Sequence, residues 1–256
     1  MRPQLKLKSS EDIDKIAASG KILARALALA AKEIRPGIST VELDKIAEQE
    51  ILRSGAKPSF KGYAGHDEDK FPSALCISIN DVVVHGMPSP EIVLREGDIV
   101  GLDLGVDLGG FYSDGAITVM VGKVSPLAER LVKTAKRALD AAIAVARVGK
   151  RIGDISYAIQ KTSEEEGFAV VRDLIGHGVG YAVHEEPAVP CFGKPGTGLE
   201  LAEGMVLAIE PMLTAGDYKL RTKPGEWPVR TADGSLSAHF EHTVAITKAG
   251  PRTLTL

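Results

Sequence analysis

Cysteine is nearly absent from this sequence: Cys76 and Cys191 are the only two in 256 residues. Two thiols are too few for a disulfide framework, and their spacing matches no cysteine-based metal site. Both are expected to be reduced, as in a cytosolic protein. Excess positive charge is missing as well. The formal net charge is −3, with Lys and Arg scattered, which argues against nucleic acid as a primary partner. The N-terminal MRPQLKLKSSEDIDKI starts basic but lacks the apolar run of a signal peptide. No window approaches the roughly 18 uncharged apolar residues that a spanning helix needs, so no membrane contact is expected. What remains is a soluble, cytoplasmic protein. Its hydrophobic content of 44% supports a core for one large domain or two fused halves.

Positive charge is also missing locally, and there the absence is informative. Between Glu96 and Gly122 the chain carries five acidic residues and no Lys or Arg. Within that span VGLDLGVDLGGFYSDGAITVMVG reads as two buried strands about a glycine-rich reversal, interrupted by Asp103, Asp107 and Asp114.

The order of elements is stated twice. Apolar residues at helical spacing predict a helix over residues 9–34, stopped by Pro36-Gly37. Ser39 and Glu42 form a capping box for a second helix running to about Ser54. Short β-like runs follow. In the second half Ser125-Pro126 opens a helix to about Val148, and Asp154 can cap another that ends near Gly167. More β-like runs come after it. LREGDIVGLD lies in register over LAEGMVLAIE, and DGAITV over EHTVAI. The expectation is a single domain over 1–256 with pseudo-repeats at about 9–123 and 125–249. Such a molecule has an approximate twofold axis, and each half brings two carboxylates to the seam.

In a hairpin centred on Leu108-Gly109, Asp103 and Asp114 would face each other directly, Cβ atoms about 4.5–5.5 Å apart. Two buried carboxylates at that distance repel and cost several kcal/mol apiece to desolvate. A shared proton relieves one pair. If Glu210 and Glu241 arrive from the second half, four carboxylates meet, and one proton cannot neutralise them. Two divalent cations can, with a shared water between them. Asp107 is expected to face solvent and Asp98 to sit in a turn.

Six histidines complete the inventory. His177 and His184 lie in IGHGVGYAVHEEP, whose glycines exclude a helical zinc motif and suggest a backbone folded tightly around a site. A neutral imidazole beside four carboxylates suits a transition metal. His85, in VVVHGMP, ends an apolar strand at a glycine–proline turn. His66, His239 and His242 are read as surface residues or neighbours of the ligands. Spacing leaves open which of His85, His177 and His184 binds metal.

The set SINDVVVHGMP, GLDLGVDLGGFYSD, GHGVGYAVHEEP, LAIEPML and SLSAHFEHTVAIT resembles type I methionine aminopeptidase, in its short form without a zinc-finger extension. The resemblance covers essentially the whole chain. It implies the pseudo-twofold α/β pita-bread fold: a curved, mostly antiparallel sheet flanked by helices. It implies Asp103, Asp114, His177, Glu210 and Glu241 as ligands of two divalent ions (Co, Mn, Fe or Zn), with Asp114 and Glu241 bridging. It implies His85 and His184 as substrate-contacting catalytic groups, with Glu210 moving the proton of the attacking water. Tyr63, Cys76 and Trp227 would contact substrate. The implied reaction removes the initiator methionine from nascent polypeptide N-termini whose second residue is small, near the ribosome, by a monomer.

Three departures stand out. Gly105 occupies a position where the family usually carries Thr, Val183 one where it commonly carries Phe, and HDEDK reads as a short insertion. They bear on side-chain preference rather than on metal chemistry. The rival readings are an Xaa-Pro peptidase on the same fold and a non-catalytic binding relative.

Overall fold

The computed structural model describes residues 5–64 and 70–256. His66 and most of the HDEDK stretch lie outside those residues. Four helices frame the fold: α1 Ser10–Lys32, α2 Thr40–Arg53, α3 Pro126–Val145 and α4 Ile152–Glu164. None is long and apolar enough to cross a membrane.

The helix starts follow local rules. Ser9 caps α1 in a reciprocal box with Asp12, and the Glu42 carboxylate accepts from the Ser39 backbone N–H at 2.9 Å. Ser125 caps α3 with Pro126 in the first turn. The expectation for Asp154 needs correction. Arg151 is the N-cap of α4, and Asp154 stands three residues in. From there its carboxylate reaches back to the Arg151 N–H at 2.8 Å and across to the Gly196 N–H at 2.8 Å. An acid serves the helix from either position, because orphan N–H groups line the whole first turn.

The central sheet has nine strands, numbered here in chain order: β1 Lys57–Pro58, β2 Cys76–Ile79, β3 Ile99–Leu108, β4 Phe111–Met120, β5 Ile175–Gly178, β6 Glu185–Pro190, β7 Val206–Ile209, β8 Glu241–Thr247 and β9 Gly250–Thr253. The spatial order is β1-β3-β4-β8-β7-β5-β6, with β2 also pairing β3 and β9 pairing β8. Every pair in it is antiparallel. The β3–β4 hairpin of the first half therefore lies directly beside β8 of the second, with β7 next beyond it.

Alternation along β3 decides which way the acids point. Val100, Leu102, Leu104 and Val106 join a core with Leu23 and Leu27 of α1 and Leu43 and Ile51 of α2. Gly101, Asp103 and Gly105 must then face the other side. A second core packs Leu131, Ala135 and Leu139 of α3 and Ile155 and Ile159 of α4 against Leu207, Ile209, Val244 and Ile246.

Candidate metal centre

The hairpin turn lies one residue further along than the sequence expectation, which moves each cross-strand partner by two. Leu108 pairs with Phe111, so the turn is Gly109-Gly110, and Asp103 faces Ala116 while Asp114 faces Gly105. Both turn glycines have positive φ, 64° and 88°, the conformation that a tight two-residue hairpin turn requires. Asp103 and Asp114 are thus diagonal neighbours on one face rather than direct partners. Asp107 is a half-buried residue near the end of β3, paired with Tyr112, and its carboxylate accepts from the Gly110 N–H of the turn at 2.7 Å. Asp98 is a turn residue as expected, accepting from the Arg95 N–H at 2.8 Å.

The second half enters through β8. Glu241 is its first residue and pairs with Ala116, which extends the row Asp103–Ala116–Glu241 across three strands. Glu210 follows Ile209, the partner of His242 in the β7–β8 ladder. His177, on β5, pairs with Ala208 of β7. Three strand pairings from distant parts of the chain thereby bring all five expected ligands together.

Their donor atoms cluster tightly. Asp103, Asp114 and Glu241 have ligating atoms within 4.8 Å of one another, as do His177, Glu210 and Glu241. Glu241 is common to both groups, and Asp114 also groups with His177 and His184. His177 Nε2 stands 3.6 Å from Glu210 and 3.8 Å from Asp114. Its Nδ1 is 2.9 Å from the Gly178 carbonyl, and donating there leaves Nε2 with a free lone pair toward the acids.

The electrostatics show what the cluster lacks. Asp103 Oδ1 and Glu241 Oε1 are buried without a hydrogen-bond partner among the described residues. Burial raises the Asp103 carboxyl to about 7. Burial and the neighbouring acids raise Asp114 and Glu241 well above the usual carboxylate range. Acids so placed would hold protons at neutral pH unless a cation compensates them. Four carboxylates plus one imidazole form an oxygen-rich donor set that suits divalent transition ions, so the residues present fit the metals the sequence implied.

His239, read from the sequence as a surface residue or a neighbour of the ligands, is the second of these. It is not at the surface: it is 4% exposed, with Nε2 3.5 Å from Glu210 and 4.0 Å from Glu241. Burial disfavours its imidazolium, but the Glu210 and Asp103 carboxylates outweigh that and hold its pKa above the ordinary value. The available signal was its position two residues before Glu241. His242 points elsewhere, with Nδ1 2.9 Å from the Thr255 hydroxyl.

The cluster floors a cleft of about 660 Å³, the size range of a small-ligand site. Its wall includes Phe60, Tyr63, Phe71, Cys76, His85, His184, Met212 and Trp227. Trp227 stands edge-on to Phe71 and His85, ring centroids 5.3 and 6.2 Å away. His85 holds a left-handed backbone at φ 59°, which in a non-glycine residue is strain of the kind found at functional sites. The His184 ring lies 4.4 Å from that of His177, with Nδ1 2.9 Å from the Tyr63 hydroxyl. Burial and the adjacent His177 push His184 down to about 4, so it is neutral at pH 7. Leu174 and Ile175 line the mouth and carried no recognisable signal in the sequence. Val183 is buried and stands outside this wall.

Comparison with known proteins places these residues in a family context. Metallopeptidase family M24 matches residues 14–248. The chain is 50% identical over 250 residues to the methionine aminopeptidase of Clostridium perfringens, covering 98% of each. It superposes on the crystal structure of methionine aminopeptidase from Rickettsia prowazekii with a TM-score of 0.94 and 39% identity, over 99% of this chain and 100% of that one. The prolidase of Pyrococcus furiosus is more distant: TM-score 0.78 and 24% identity over 98% of this chain and 65% of that one, a likeness of fold. The expected pita-bread α/β architecture is thus the fold observed.

Proposed function

The chain belongs to metallopeptidase family M24, and on that premise we propose that it is a methionine aminopeptidase, releasing the initiator methionine from polypeptides with a small second residue. The observation that carries this is the meeting of Asp103, Asp114, His177, Glu210 and Glu241 at the floor of a cleft walled by Phe60, Phe71, Met212 and Trp227. Acids of that arrangement do metal-assisted hydrolysis, and an apolar wall of that size receives a thioether side chain.

Those five residues would hold two divalent ions, Co, Mn, Fe or Zn. When bound, the metals supply Lewis acidity and lower the pKa of water. The remaining roles belong to the chain. With the Tyr63 hydroxyl donating to His184 Nδ1, the Nε2–H is free to donate to the scissile carbonyl oxygen as negative charge develops there. Glu210 receives the proton of the attacking water and delivers it to the leaving amine, a contribution of about 10²–10⁴-fold. His85 hydrogen-bonds the backbone of the second residue. Cys76 and Trp227 close the side-chain pocket. We further propose that the whole chain is one catalytic domain whose two halves each donate a strand pair, working as a cytoplasmic monomer on nascent chains near the ribosome.

The test is release of free methionine from Met-Ala-Ser after chelation and re-addition of single metals, beside an Xaa-Pro dipeptide. Metal-dependent cleavage of Met-Ala-Ser with the dipeptide untouched is the expected result. Preference for the dipeptide would make the enzyme an Xaa-Pro peptidase, and no cleavage of either would leave a non-catalytic relative.

A further inference from the structure

The turn that carries His184 is anchored by a residue at the other end of the chain. Lys8, in the extended segment before α1, places its ammonium 2.5 Å from Glu185 Oε2, across 177 positions of sequence. Both side chains are sealed from solvent, 1% and 6% exposed. The other oxygen of Glu185 accepts from the backbone N–H groups of Tyr181 and Ala182 at 2.6 and 2.9 Å. One carboxylate thus gathers the turn between β5 and β6 and ties it to the N-terminal segment. The Tyr181 hydroxyl donates to Asp12 at 2.9 Å, and the Gly180 carbonyl accepts from the Tyr112 N–H at 2.7 Å.

The fit around Lys8 is close. Its own N–H donates to the Gly204 carbonyl at 2.7 Å. A Cβ on Gly180 would come within 2.7 Å of Lys8 Cε, and one on Gly204 within 2.7 Å of the Lys8 carbonyl oxygen. Burying an ammonium and a carboxylate is costly, and an uncharged pair of similar shape would serve stability as well or better. A charged pair gives what an apolar contact does not: short, directional bonds that fix two amides in place. Those amides belong to the turn whose last residue presents an imidazole to the cleft.

We propose that Lys8 is a positioning residue for His184: by locking the Glu185 carboxylate, it fixes residues 180–184 so that the His184 ring stays over His177 and beside Tyr63. This rests on the aminopeptidase reading above. Neither Lys8 nor Glu185 touches the reacting atoms.

Lys8→Met keeps the length of the side chain and removes its charge. The expected result with Met-Ala-Ser is a fall in kcat of tenfold or more, KM within about threefold, and unchanged metal content. Hydrogen exchange at the Tyr181 and Ala182 amides should accelerate at least tenfold, with or without metal. Adding His184→Ala to Lys8→Met should cost little beyond His184→Ala alone, because both remove one contribution. Should Lys8→Met fail to fold, Glu185→Gln decides on the same readouts, since it keeps an acceptor for the amides but loses the ion pair. A lowered melting temperature with unchanged kcat would overturn the proposal, as would fully additive losses with His184→Ala or unchanged exchange at residues 181–182. A wild-type enzyme inactive on methionyl peptides would instead defeat the aminopeptidase reading, with the exchange experiment still judging the anchoring of the turn.

Discussion

The Tyr63 hydroxyl and His184 Nδ1 are 2.9 Å apart, although Tyr63 itself is 41% exposed. The contact joins the segment before β2 to the turn before β6, across the mouth of the cleft. An O–H donated to Nδ1 would leave the ring proton on Nε2.

Tyr63→Phe tests that arrangement. Removing one hydrogen bond is worth about 0.5–1.5 kcal/mol, so kcat on Met-Ala-Ser should fall about 2–10-fold with metal content unchanged. Steady-state kinetics beside metal analysis check it. An unaltered kcat would mean that the hydroxyl does not orient the ring.

The acids predict how stability changes with pH once metals are removed. Asp103 rises to about 7 in the folded chain, against about 3.9 when unfolded. A carboxyl raised in this way favours the folded state below the unfolded pKa, and that contribution is lost as pH climbs through the folded value. Chelated protein should therefore lose melting temperature between about pH 4 and pH 7. Saturating manganese should flatten the slope and add about 2.7 kcal/mol at a hundredfold excess over Kd. Parallel melting curves with and without metal would contradict the assignment of these acids as ligands.

Ser59 and Gly105 share one space. A Cβ at Gly105 would collide with the Ser59 hydroxyl and come within 2.9 Å of the Phe60 ring, and Ser59 Oγ has no hydrogen-bond partner among the described residues. Gly105→Thr should cost about 1–3 kcal/mol by overpacking, and Ser59→Gly in the same chain should recover most of it. Denaturant melts of the four proteins give the coupling. Additive losses would show that the two positions are independent.

Asp44 braces the approach to β2. Its buried carboxylate accepts from the Ala74 and Leu75 N–H groups at 3.0 and 2.9 Å. Asp44→Ala strands both donors and should destabilise by about 2–4 kcal/mol. Asp44→Asn, which keeps an acceptor oxygen, should lose less than half as much. Thermal melts decide, and equal losses would refute the role.

Asp103 was legible because it sits in a strand whose other face is apolar: the alternation in VGLDLGVD puts it opposite the helices without reference to any other part of the chain. Helix starts were legible for a similar reason, since a cap and its partner are three residues apart. The pairing of Asp103 was misread because the choice between Leu108-Gly109 and Gly109-Gly110 as the turn moves every cross-strand partner by two residues, from Asp114 to Ala116 in the case of Asp103. The burial of His239 was not legible, because alternation could not show that Glu210 would arrive beside it.

The amino-acid sequence alone determined the helices and the strand faces, since these follow from patterns spanning two to four positions; the internal repeat singled out the four acids, and the family resemblance added His177. Only the tertiary structure decided which donors share an edge, that His239 closes on Glu210, and that Lys8 holds the His184 turn. The last two are contacts between segments 29 and 177 residues apart. They are set by strand register and by the close packing of glycines against neighbouring chain, which no local pattern encodes.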